Sequence, residues 1–571
     1  MTDLRFSLPS ELNARVRAAL ARAEADRLVP RIWAGDASVW TGADEAHWLG
    51  WLRVIEDERE RVGTYAELRD EIRAEGVTRI LVVGMGGSSL APQVLARTFG
   101  PQEGYPALEI LDSTDPAQVR SAVDRDLRST LVIVASKSGS TLEPNILKQY
   151  AFERMREAVG GPPGRRFVAI TDPGSRLEVV AAREGFRRTF AGVPSVGGRF
   201  SALSSFGLVP ASLAGIDVGR LLGGADRMAA RCGPDRPTTE NPGAVLGVIL
   251  GESALAGRDK PTLVFSPDLA GLGAWLEQLL AESTGKMGKA IIPVDGETLA
   301  APERYGNDRV FVRFRLGARP DATQDRAVEA LERAGQPLVS LEVADASDLG
   351  AEFFRWEMAT AVAGAVLRLN PFDQPDVESA KTITRRIAEE YETQGRLPAE
   401  APVFRDGDVA LFTDARNAAE LSGKAGEPAS LASWIGAHFG RLRAGDYAAL
   451  LAYLPMTPEY ESALQGLRHR IRDARRVATT VGFGPRYLHS TGQAHKGGPD
   501  TGLFLLLTAD APDDLPIPGQ RYTFGVIEAA QAAGDFQALL GRRRRALRVH
   551  LGTDAAGGLA AIDRALAEAL S

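Results

Sequence analysis

The segment from residue 130 to residue 145, TLVIVASKSGSTLEPN, limits the folds open to this chain more than any other. Its apolar, β-branched start is typical of a strand buried on both faces of a parallel sheet. A short polar turn follows, and the residues after it have the pattern of a helix. Such a turn brings the unpaired N–H groups of the first helical turn to the end of the strand. The segment therefore predicts a parallel α/β sheet with an anion site at its edge.

The turn of this segment is rich in hydrogen-bond donors. Four hydroxyl side chains and one lysine lie within six residues: Ser136, Lys137, Ser138, Ser140 and Thr141. An ordinary capped turn is the alternative, but capping requires fewer hydroxyls than this. The turn lacks the GxxxxGK[ST] spacing of a nucleotide P-loop, so a phosphorylated small molecule is favoured over ATP.

Strand and helix patterns alternate from Val77 onward. The strand–turn–helix pattern recurs in TRILVVGMGGSSLAPQVLARTF, and further strand patterns follow in LEILDSTDP and RRFVAITDPGS. This alternation predicts βαβ units with right-handed crossovers. Ligands of such sheets bind at the carboxyl ends of the strands, so the turn with Gly86 and Gly87 should lie beside the serine-rich turn. Ser88 would then open a helix, as a cap or as a ligand donor.

Composition narrows the class of protein. A chain of 571 residues is expected to form roughly two to four domains. The net charge of −7 argues against a general nucleic-acid binder. A single cysteine, Cys232, rules out a disulfide framework and favours a reducing compartment. No signal peptide or uncharged apolar run of membrane-spanning length is evident, so we expect a cytoplasmic protein without a membrane partner.

The pattern along the chain predicts four parts. Residues 1–60 have helical patterns, and residues 61–240 and 241–398 each have the alternation of an α/β domain. A stretch rich in Pro, Ala and Asp, from about residue 396 to 408, is a plausible linker. Residues 399–571 then form a C-terminal α/β extension that carries a glycine-rich loop with two histidines.

Several polar residues outside the serine-rich turn are candidates for chemistry. Arg199 lies in VGGRFS and is either a structural ion-pair partner or an anion stabiliser. Glu282 falls at the end of a helix, where the dipole disfavours an anion, so it is either a general base or a solvated carboxylate. Lys381 shares a helix face with Glu378 and would by default be solvated. A zinc site at the histidine loop is disfavoured, because no HxxxH or HExxH pattern is present.

Five motifs together resemble one enzyme family. In chain order these are GMGGSSLAP, ASKSGSTLE, VGGRFS, AESTGK and FDQPDVESAK. They resemble the glucose-6-phosphate isomerase (phosphoglucose isomerase) family, over roughly residues 75–385, and the family's fold implies two doubly wound sugar-isomerase domains within residues 61–398. The tail from about residue 400, with STGQAHKGG, resembles the isomerase half of bacterial transaldolase–phosphoglucose isomerase fusions. Whether a separate transaldolase associates with this chain is left open.

The resemblance also implies roles for individual residues. By position, Glu282 matches the catalytic base, Arg199 the stabiliser of the enediolate, and Glu143 a carboxylate near the sugar ring. The matching substrate-binding positions are Ser136, Lys137, Ser138 and Thr141 for the phosphate, Gly87 and Ser88 for the sugar, and Gln374 and Lys381 near the C-terminal side of the site. In the family a GQH segment precedes the lysine helix, whereas GQAH follows it here. The ring-opening histidine is accordingly assigned to His495, with His489 as the alternative.

The activity implied is the reversible isomerisation of glucose 6-phosphate and fructose 6-phosphate through a cis-enediol, without a metal or another cofactor. The implied partner is a phosphosugar, and a homodimer and a monomer are both open. One alternative is an isomerase of another phosphosugar, such as mannose 6-phosphate. The other is a non-catalytic phosphosugar-binding regulator, which would need the serine-rich turn but not Glu282, Arg199 and Lys381 together. Such regulators often carry a basic helix-turn-helix, which shows no clear sign here, so the enzyme is favoured.

Overall fold

A computed structural model of the chain describes residues 4–570. The N-terminal part contains β1 (Leu4–Ser7), α1 (Ser10–Ala25), α2 (Leu28–Trp33) and α3 (Val54–Ala74). The first α/β region contains β2 (Arg79–Val83), α4 (Leu90–Phe99), β3 (Ala107–Leu111), α5 (Pro116–Val123), β4 (Thr130–Ala135), α6 (Leu142–Ala158), β5 (Phe167–Thr171), α7 (Arg176–Arg183), β6 (Arg188–Ala191), α8 (Ser205–Leu213) and α9 (Val218–Arg231).

The second region contains α10 (Pro242–Leu255), β7 (Lys260–Phe265), α11 (Leu272–Thr284), β8 (Arg309–Leu316), α12 (Ala322–Arg333), β9 (Leu338–Val343), α13 (Leu349–Leu367) and α14 (Val377–Gln394). The C-terminal region contains β10 (Phe404–Asp406), β11 (Val409–Phe412), α15 (Ala415–Ala425), α16 (Leu431–Phe439), β12 (Tyr447–Tyr453), α17 (Pro458–Arg475), β13 (Ala478–Phe483), α18 (Gly492–Gly497), β14 (Gly502–Thr508), α19 (Phe524–Gly541), β15 (Arg545–His550) and α20 (Ala555–Leu570).

The first region is a parallel sheet with helical crossovers, as the sequence predicts. Its strand order is β3-β2-β4-β5-β6, and each pair of neighbours is parallel. β4 is buried along its whole length, which explains its continuous run of apolar, β-branched residues. The order reverses direction at β2 and β4, and the turns after these two strands are the glycine-rich and serine-rich turns. Both turns therefore lie at the switch point where ligands of such sheets bind.

The second sheet has the order β1-β9-β8-β7, with β7, β8 and β9 parallel. β1 pairs antiparallel with β9 at the edge, so the first residues of the described chain are a strand and not part of the predicted helical segment. Four residues are too few to show a strand pattern in the sequence, and only the partner strand defines them. α3 also runs across the predicted boundary at residue 60, because its buried face continues through Tyr65, Leu68 and Ile72. The division into domains stays a prediction.

The C-terminal sheet has the order β10-β11-β15-β14-β12-β13, with a parallel core and an antiparallel β10–β11 edge. This region packs on both of the others. Phe524 and Ile527 of α19 share an apolar cluster with Leu147 of the first region. Ile292 of the second region shares another cluster with Phe504 of β14. Together, the sheets establish the predicted α/β fold class with its C-terminal α/β extension. Among residues 4–570, none of the helices combines the length and apolar character needed to cross a membrane.

Candidate active site

The serine-rich turn between β4 and α6 presents hydroxyls and helix N–H groups at the surface of a cleft. Ser136 is buried and shapes the turn, since its Oγ accepts a hydrogen bond from the N–H of Gly139 at 3.2 Å. Ser138 is exposed, with its Oγ 2.8 Å from that of Ser140. Thr141 stands at the N-cap of α6, but within the described chain its side chain makes no capping hydrogen bond. The first-turn N–H groups of α6 are therefore left for a ligand, as an anion site requires.

The turn can approach the next helix only because it contains a glycine. Gly139 has a φ of +67°, and a β-carbon there would lie 2.4 Å from the backbone N of Leu177 in α7. Any side chain at this position would clash with backbone, so the turn would move.

Lys137 points away from the cleft. Its Nζ forms an ion pair with Asp172 and lies 3.3 Å and 3.1 Å from the carbonyl oxygens of Val193 and Pro194. These carbonyls precede the VGGRFS segment, so Lys137 joins two loops of the site. The structure brings Ser138 and Thr141 to the cleft and leaves the charge of Lys137 with Asp172.

A cavity of about 710 Å³ opens beside the serine-rich turn, between the first region, α14 and the C-terminal region. Its walls include Ser138, Thr141, Glu143, Lys381 and His489. This volume lies within the range of pockets that hold small molecules.

Glu143, in the first turn of α6, is in contact with a histidine at the wall of the cavity. Its Oε1 lies 3.1 Å from Nε2 of His489 and accepts a hydrogen bond at 2.7 Å from Nε2 of Gln531. Burial alone would raise the pKa of Glu143, but the charge and hydrogen bond of His489, with the charge of Lys381, outweigh burial and lower it. Glu143 is thus a carboxylate at neutral pH, paired with an imidazole that borders the cavity.

His495 does not join these residues. It lies in α18 with its ring centroid 5.2 Å from that of Phe504, 6.1 Å from Tyr487 and 6.2 Å from Tyr447. Its Nδ1 has no hydrogen-bond partner among the described residues. Burial, with the nearby charges of Lys496 and Arg544, lowers the pKa of His495 well below its ordinary value, so the ring is neutral. The GQAH pattern selected His495, but the short helix turns that residue into the core, and His489 in the preceding turn borders the cavity.

Glu282 and Arg199 form the second pair of the site. Glu282 lies at the end of α11, where its Oε2 accepts a hydrogen bond from Nε2 of Gln278 at 2.9 Å. Its Oε1 is 3.6 Å from Nη1 of Arg199. The carboxylate is largely buried, with 11% of its side chain exposed, so little solvent competes with these partners.

The Arg199 guanidinium is held by protein acceptors on three sides. Nε donates to Oγ of Ser283 at 2.7 Å, and Nη1 to Oε1 of Gln374 at 2.9 Å. Nη2 donates to the carbonyl oxygens of Pro371 and Asp373 at 2.7 Å and 3.0 Å. Of its five N–H groups, one on Nη1 makes no hydrogen bond within residues 4–570, and Nη1 is the atom that lies nearest to Glu282. A rigid, buried cation with one free donor is suited to stabilise a negative charge that develops beside Glu282.

Lys286 supports this arginine, and motif reasoning assigned it no role. Its Nζ donates to the carbonyl oxygens of Asn370 and Asp373 at 2.7 Å and 2.6 Å, and pairs with Oδ1 of Asp373 at 2.5 Å. It thereby fixes the same loop that holds Arg199. Burial, followed by the charge of Arg199, lowers the pKa of Lys286 to about 8.

The glycine-rich turn lies between the two pairs. A β-carbon on Gly86 would lie 2.8 Å from Nε2 of Gln278 and 3.1 Å from the carbonyl oxygen of His489. Gly86 is thus in contact both with the residue that holds Glu282 and with His489. Ser88, in the same turn, is largely buried.

The lysine helix α14 closes the cavity from the side of the second region. Lys381 lines the cavity, with 40% of its side chain exposed and its Nζ 2.7 Å from Oε1 of Glu378. Gln493 of α18 fixes the start of this helix: its Oε1 accepts from the N–H of Asp376, and its Nε2 donates to the carbonyl of Gly285. The ends of α11 and α14 are therefore held together by the C-terminal region.

The described residues supply groups suited to proton transfer and anion binding. Among residues 4–570, no group of three or more His, Cys, Asp or Glu side chains is arranged to hold a metal ion. Glu143, His489 and Lys381 line the cavity. The buried group of Glu282, Arg199 and Lys286 lies on the other side of the glycine-rich turn, where Gly86 contacts Gln278.

Known proteins are similar to much of this chain. A family model for phosphoglucose isomerase matches residues 67–302. The glucose-6-phosphate isomerase of Rubrobacter xylanophilus is 32% identical over 433 residues, which span 67% of this chain and 98% of that protein. The glucose-6-phosphate isomerase of a Synechococcus species is 31% identical, over 68% of this chain and 83% of that protein.

Solved structures agree with these relatives. A hypothetical protein from Thermus thermophilus superimposes with a TM-score of 0.58 at 27% identity, over 67% of this chain and 99% of that chain. The glucose-6-phosphate isomerase of Chlamydia trachomatis shares the fold, with a TM-score of 0.53 at 21% identity over 64% of this chain and 78% of that chain. Since nearly the whole Rubrobacter protein is matched above 30% identity, this chain belongs to the phosphoglucose isomerase family.

Proposed function

We propose that this chain is a glucose-6-phosphate isomerase that interconverts glucose 6-phosphate and fructose 6-phosphate through a cis-enediol. One observation supports the proposal most. The ion pair of Glu282 with Arg199 and the hydrogen-bonded pair of Glu143 with His489 lie on either side of the glycine-rich turn, next to a hydroxyl-lined anion site. A 1,2 proton transfer on a phosphosugar needs this set: an anchor for the phosphate, groups that open the ring, and a base with an anion stabiliser.

The serine-rich turn anchors the phosphate in this proposal. The hydroxyls of Ser138 and Thr141 and the first-turn N–H groups of α6 donate to its oxygens. Ser136 keeps the turn in shape through Gly139, and Lys137 holds the turn beside the VGGRFS segment. Ser88 and the backbone at Gly87 border the sugar.

Ring opening requires a proton to leave the O1 hydroxyl and another to reach O5. His489 is the candidate for O5, because it borders the cavity and its ring is held in place by Glu143, with Nε2 3.1 Å from Oε1. Lys381, which also lines the cavity, is the candidate that contacts the O1 side. This assignment prefers His489 over His495, whose ring is enclosed by aromatic side chains.

Glu282 is the base of the isomerisation step. Its carboxylate takes the proton from C2 of the open aldose and returns it to C1, while O1 gains a proton and O2 loses one as the carbonyl moves to C2. Such general base catalysis contributes about 10²–10⁴-fold. Negative charge builds up on the enediolate oxygens meanwhile, and the free Nη1 hydrogen of Arg199 stabilises it. A fixed donor of this kind is worth about 3–4 kcal/mol. Gln374 contributes by holding Nη1 of Arg199. The proposal invokes no cofactor.

Two other functions remain in competition. An isomerase of another phosphosugar, such as mannose 6-phosphate, would use the same groups with other contacts to the sugar hydroxyls. A regulator would bind the phosphosugar without turning it over. We favour the isomerase, since the buried Glu282–Arg199 pair has no role in mere binding, and we place it in the cytoplasm because of its single cysteine and its family.

The test is the conversion of fructose 6-phosphate to glucose 6-phosphate by the wild type and by Glu282→Gln, without added metal. Glu329→Gln, an exposed change on α12, is the matched control. We expect wild-type and control activity, and a fall of about 10²–10⁴-fold in kcat for Glu282→Gln with phosphosugar binding retained. A wild type that binds the sugar without turnover would instead indicate a regulator, and faster turnover of mannose 6-phosphate would indicate the other isomerase.

A further inference from the structure

The carboxylate of Glu143 has a second donor besides His489, and it comes from α19 of the C-terminal region. Gln531 donates from Nε2 to Oε1 of Glu143 at 2.7 Å. Its own Oε1 accepts a hydrogen bond from Oγ1 of Thr114, also at 2.7 Å. Thr114, Gln531 and Glu143 are all buried. These contacts form one chain of hydrogen bonds, from Thr114 through Gln531 to Glu143, where it meets His489.

The chemistry of the groups fixes the direction of this chain. An ionised carboxylate only accepts hydrogen bonds, so Gln531 must turn its NH₂ group toward Glu143. Its carbonyl oxygen then faces Thr114, whose hydroxyl donates. The flipped amide would set two acceptor oxygens against each other in a buried place, which is costly. With Glu143 ionised, every donor in this chain of hydrogen bonds therefore faces an acceptor.

The same logic extends to the imidazole. A carboxylate that only accepts requires a proton on the ring nitrogen that faces it, which is Nε2 of His489. The opposite nitrogen, Nδ1, then carries the lone pair of the neutral ring. Through the ionised Glu143, the orientation of the Gln531 amide therefore influences which ring nitrogen of His489 carries the proton and which one can accept a proton.

We propose that Gln531 is a positioning residue for the acid–base pair: it keeps Glu143 ionised and His489 in the tautomer with its proton on Nε2, and the Thr114 hydroxyl keeps the Gln531 amide in the required orientation. In this way a helix of the C-terminal region controls the protonation state of a carboxylate in the first region. The inference rests on the proposed function only for its effect on turnover.

The first experiment removes the donor without changing the length of the side chain much. For Gln531→Met we expect kcat to fall about 10- to 100-fold, the cost of one hydrogen bond to a charged group, with KM nearly unchanged. Because the lost donor raises the pKa of Glu143, the acid limb of the kcat profile should also move to higher pH. Gln537→Met, further along the outer side of α19, is the matched control and should match the wild type in both measurements.

The second experiment replaces the donor by a carboxyl group. In Gln531→Glu the new side chain donates to Glu143 only while it is protonated, because two adjacent carboxylates cannot both be ionised. We expect turnover close to that of the wild type at the acid end of the profile and a loss as pH rises. A purely structural role of Gln531 predicts no such dependence on pH.

The third measurement needs no turnover. Nitrogen NMR of the imidazoles reports the tautomer of neutral histidine, and His489→Asn assigns the signal among the six histidines. We expect the Nε2–H tautomer in the wild type, a mixture in Gln531→Met, and a smaller shift in Thr114→Val, which keeps the amide but frees its orientation. Thr114→Val also tests the chain of hydrogen bonds should Gln531→Met fold poorly.

Unchanged kcat, pH profile and tautomer in Gln531→Met would overturn the proposal. A wild type without isomerase activity would contradict the proposed function instead, and a tautomer change in Gln531→Met would then still support the role of Gln531.

Discussion

The carbonyl group of Gly198 occupies the place that a side chain on Gly87 would fill: a β-carbon on Gly87 would lie 1.9 Å from this oxygen. The glycine-rich turn of the first region and the VGGRFS segment are therefore in direct backbone contact. This contact sets where Arg199, the next residue after Gly198, enters the site.

Gly87→Ala tests this contact. The added methyl group would push the VGGRFS segment outward, and Arg199 would move relative to Glu282. A misplacement of about 1 Å in a catalytic group costs about 100-fold in rate, so we expect at least that loss in kcat. The measurement is steady-state kinetics beside Gly63→Ala, a change in α3 where a β-carbon meets nothing within 4 Å. A Gly87→Ala enzyme with wild-type kcat would show that the segment does not position Arg199.

Substitutions of the two histidines of the C-terminal loop, His489 and His495, should have different effects. We expect His489→Asn to lower kcat by about 10²–10⁴-fold, since it removes the imidazole that borders the cavity. His495→Asn should instead lower the midpoint of thermal unfolding, because it puts an amide among buried aromatic rings, while the folded enzyme keeps its kcat. Steady-state kinetics and thermal unfolding of both variants show which histidine opens the ring. A loss of kcat in His495→Asn but not in His489→Asn would assign ring opening to His495.

The lowered pKa of Lys286 predicts a loss of activity above neutral pH. With its pKa lowered to about 8, it loses its charge as pH rises through that value, and the loop that holds Arg199 loses the ion pair with Asp373. We therefore expect kcat to fall with an apparent pKa near 8. In Lys286→Arg, whose guanidinium does not titrate in this range, the fall should disappear or move to higher pH.

The effect of Lys286 on stability cannot explain this fall of kcat at alkaline pH. The folded-state pKa of Lys286 lies below the unfolded value of about 10.4, so the unfolded chain binds more protons between the two values. The contribution of Lys286 to stability therefore increases as pH rises from about 8 to about 10.4, while the activity falls. Parallel measurements of kcat and of the free energy of unfolding separate the two effects, and an identical alkaline limb in Lys286→Met would contradict the assignment.

The serine-rich turn should determine affinity rather than rate. Ser138→Ala and Thr141→Val each remove one hydroxyl donor, and we expect KM for fructose 6-phosphate to rise about 10-fold each, with a smaller change in kcat. Because Lys137 is paired with Asp172, Lys137→Met should act mainly on the position of the turn and lower stability. Titration with inorganic phosphate provides a readout without turnover, and unaltered binding in Ser138→Ala and Thr141→Val would move the anion site elsewhere.

The family and the fold class can be predicted from the sequence because the patterns that indicate them are local. The buried run of β4, the turn after it and the glycines of VGGRFS are each continuous in the chain, and the predicted fold class and family are confirmed. The positions of Glu282 and Ser283 at the end of α11 also follow from the local helix pattern.

What the sequence cannot supply depends on contacts between distant segments. Local spacing selected His495, whereas the turn of residues 486–489 brings His489 to Glu143 from 346 positions away. The resemblance assigned Lys137 to the phosphate, whereas its charge is paired with Asp172, 35 positions along the chain. Lys286 and Gln493 lie within AESTGK and STGQAHKGG, and Gln531 lies outside the quoted motifs. No role could be predicted for them, because each acts by holding backbone or side chains that come from other regions.

Glu143 and Gln531 are 388 positions apart along the chain, and this separation has a consequence for folding during translation. The first region contains its whole parallel sheet and can form while the ribosome is still adding residues. His489 and Gln531 emerge from the ribosome only when translation is almost finished. A nascent chain that stops before residue 486 would therefore contain the complete serine-rich and glycine-rich turns, yet hold Glu143 without either of its partners, His489 and Gln531.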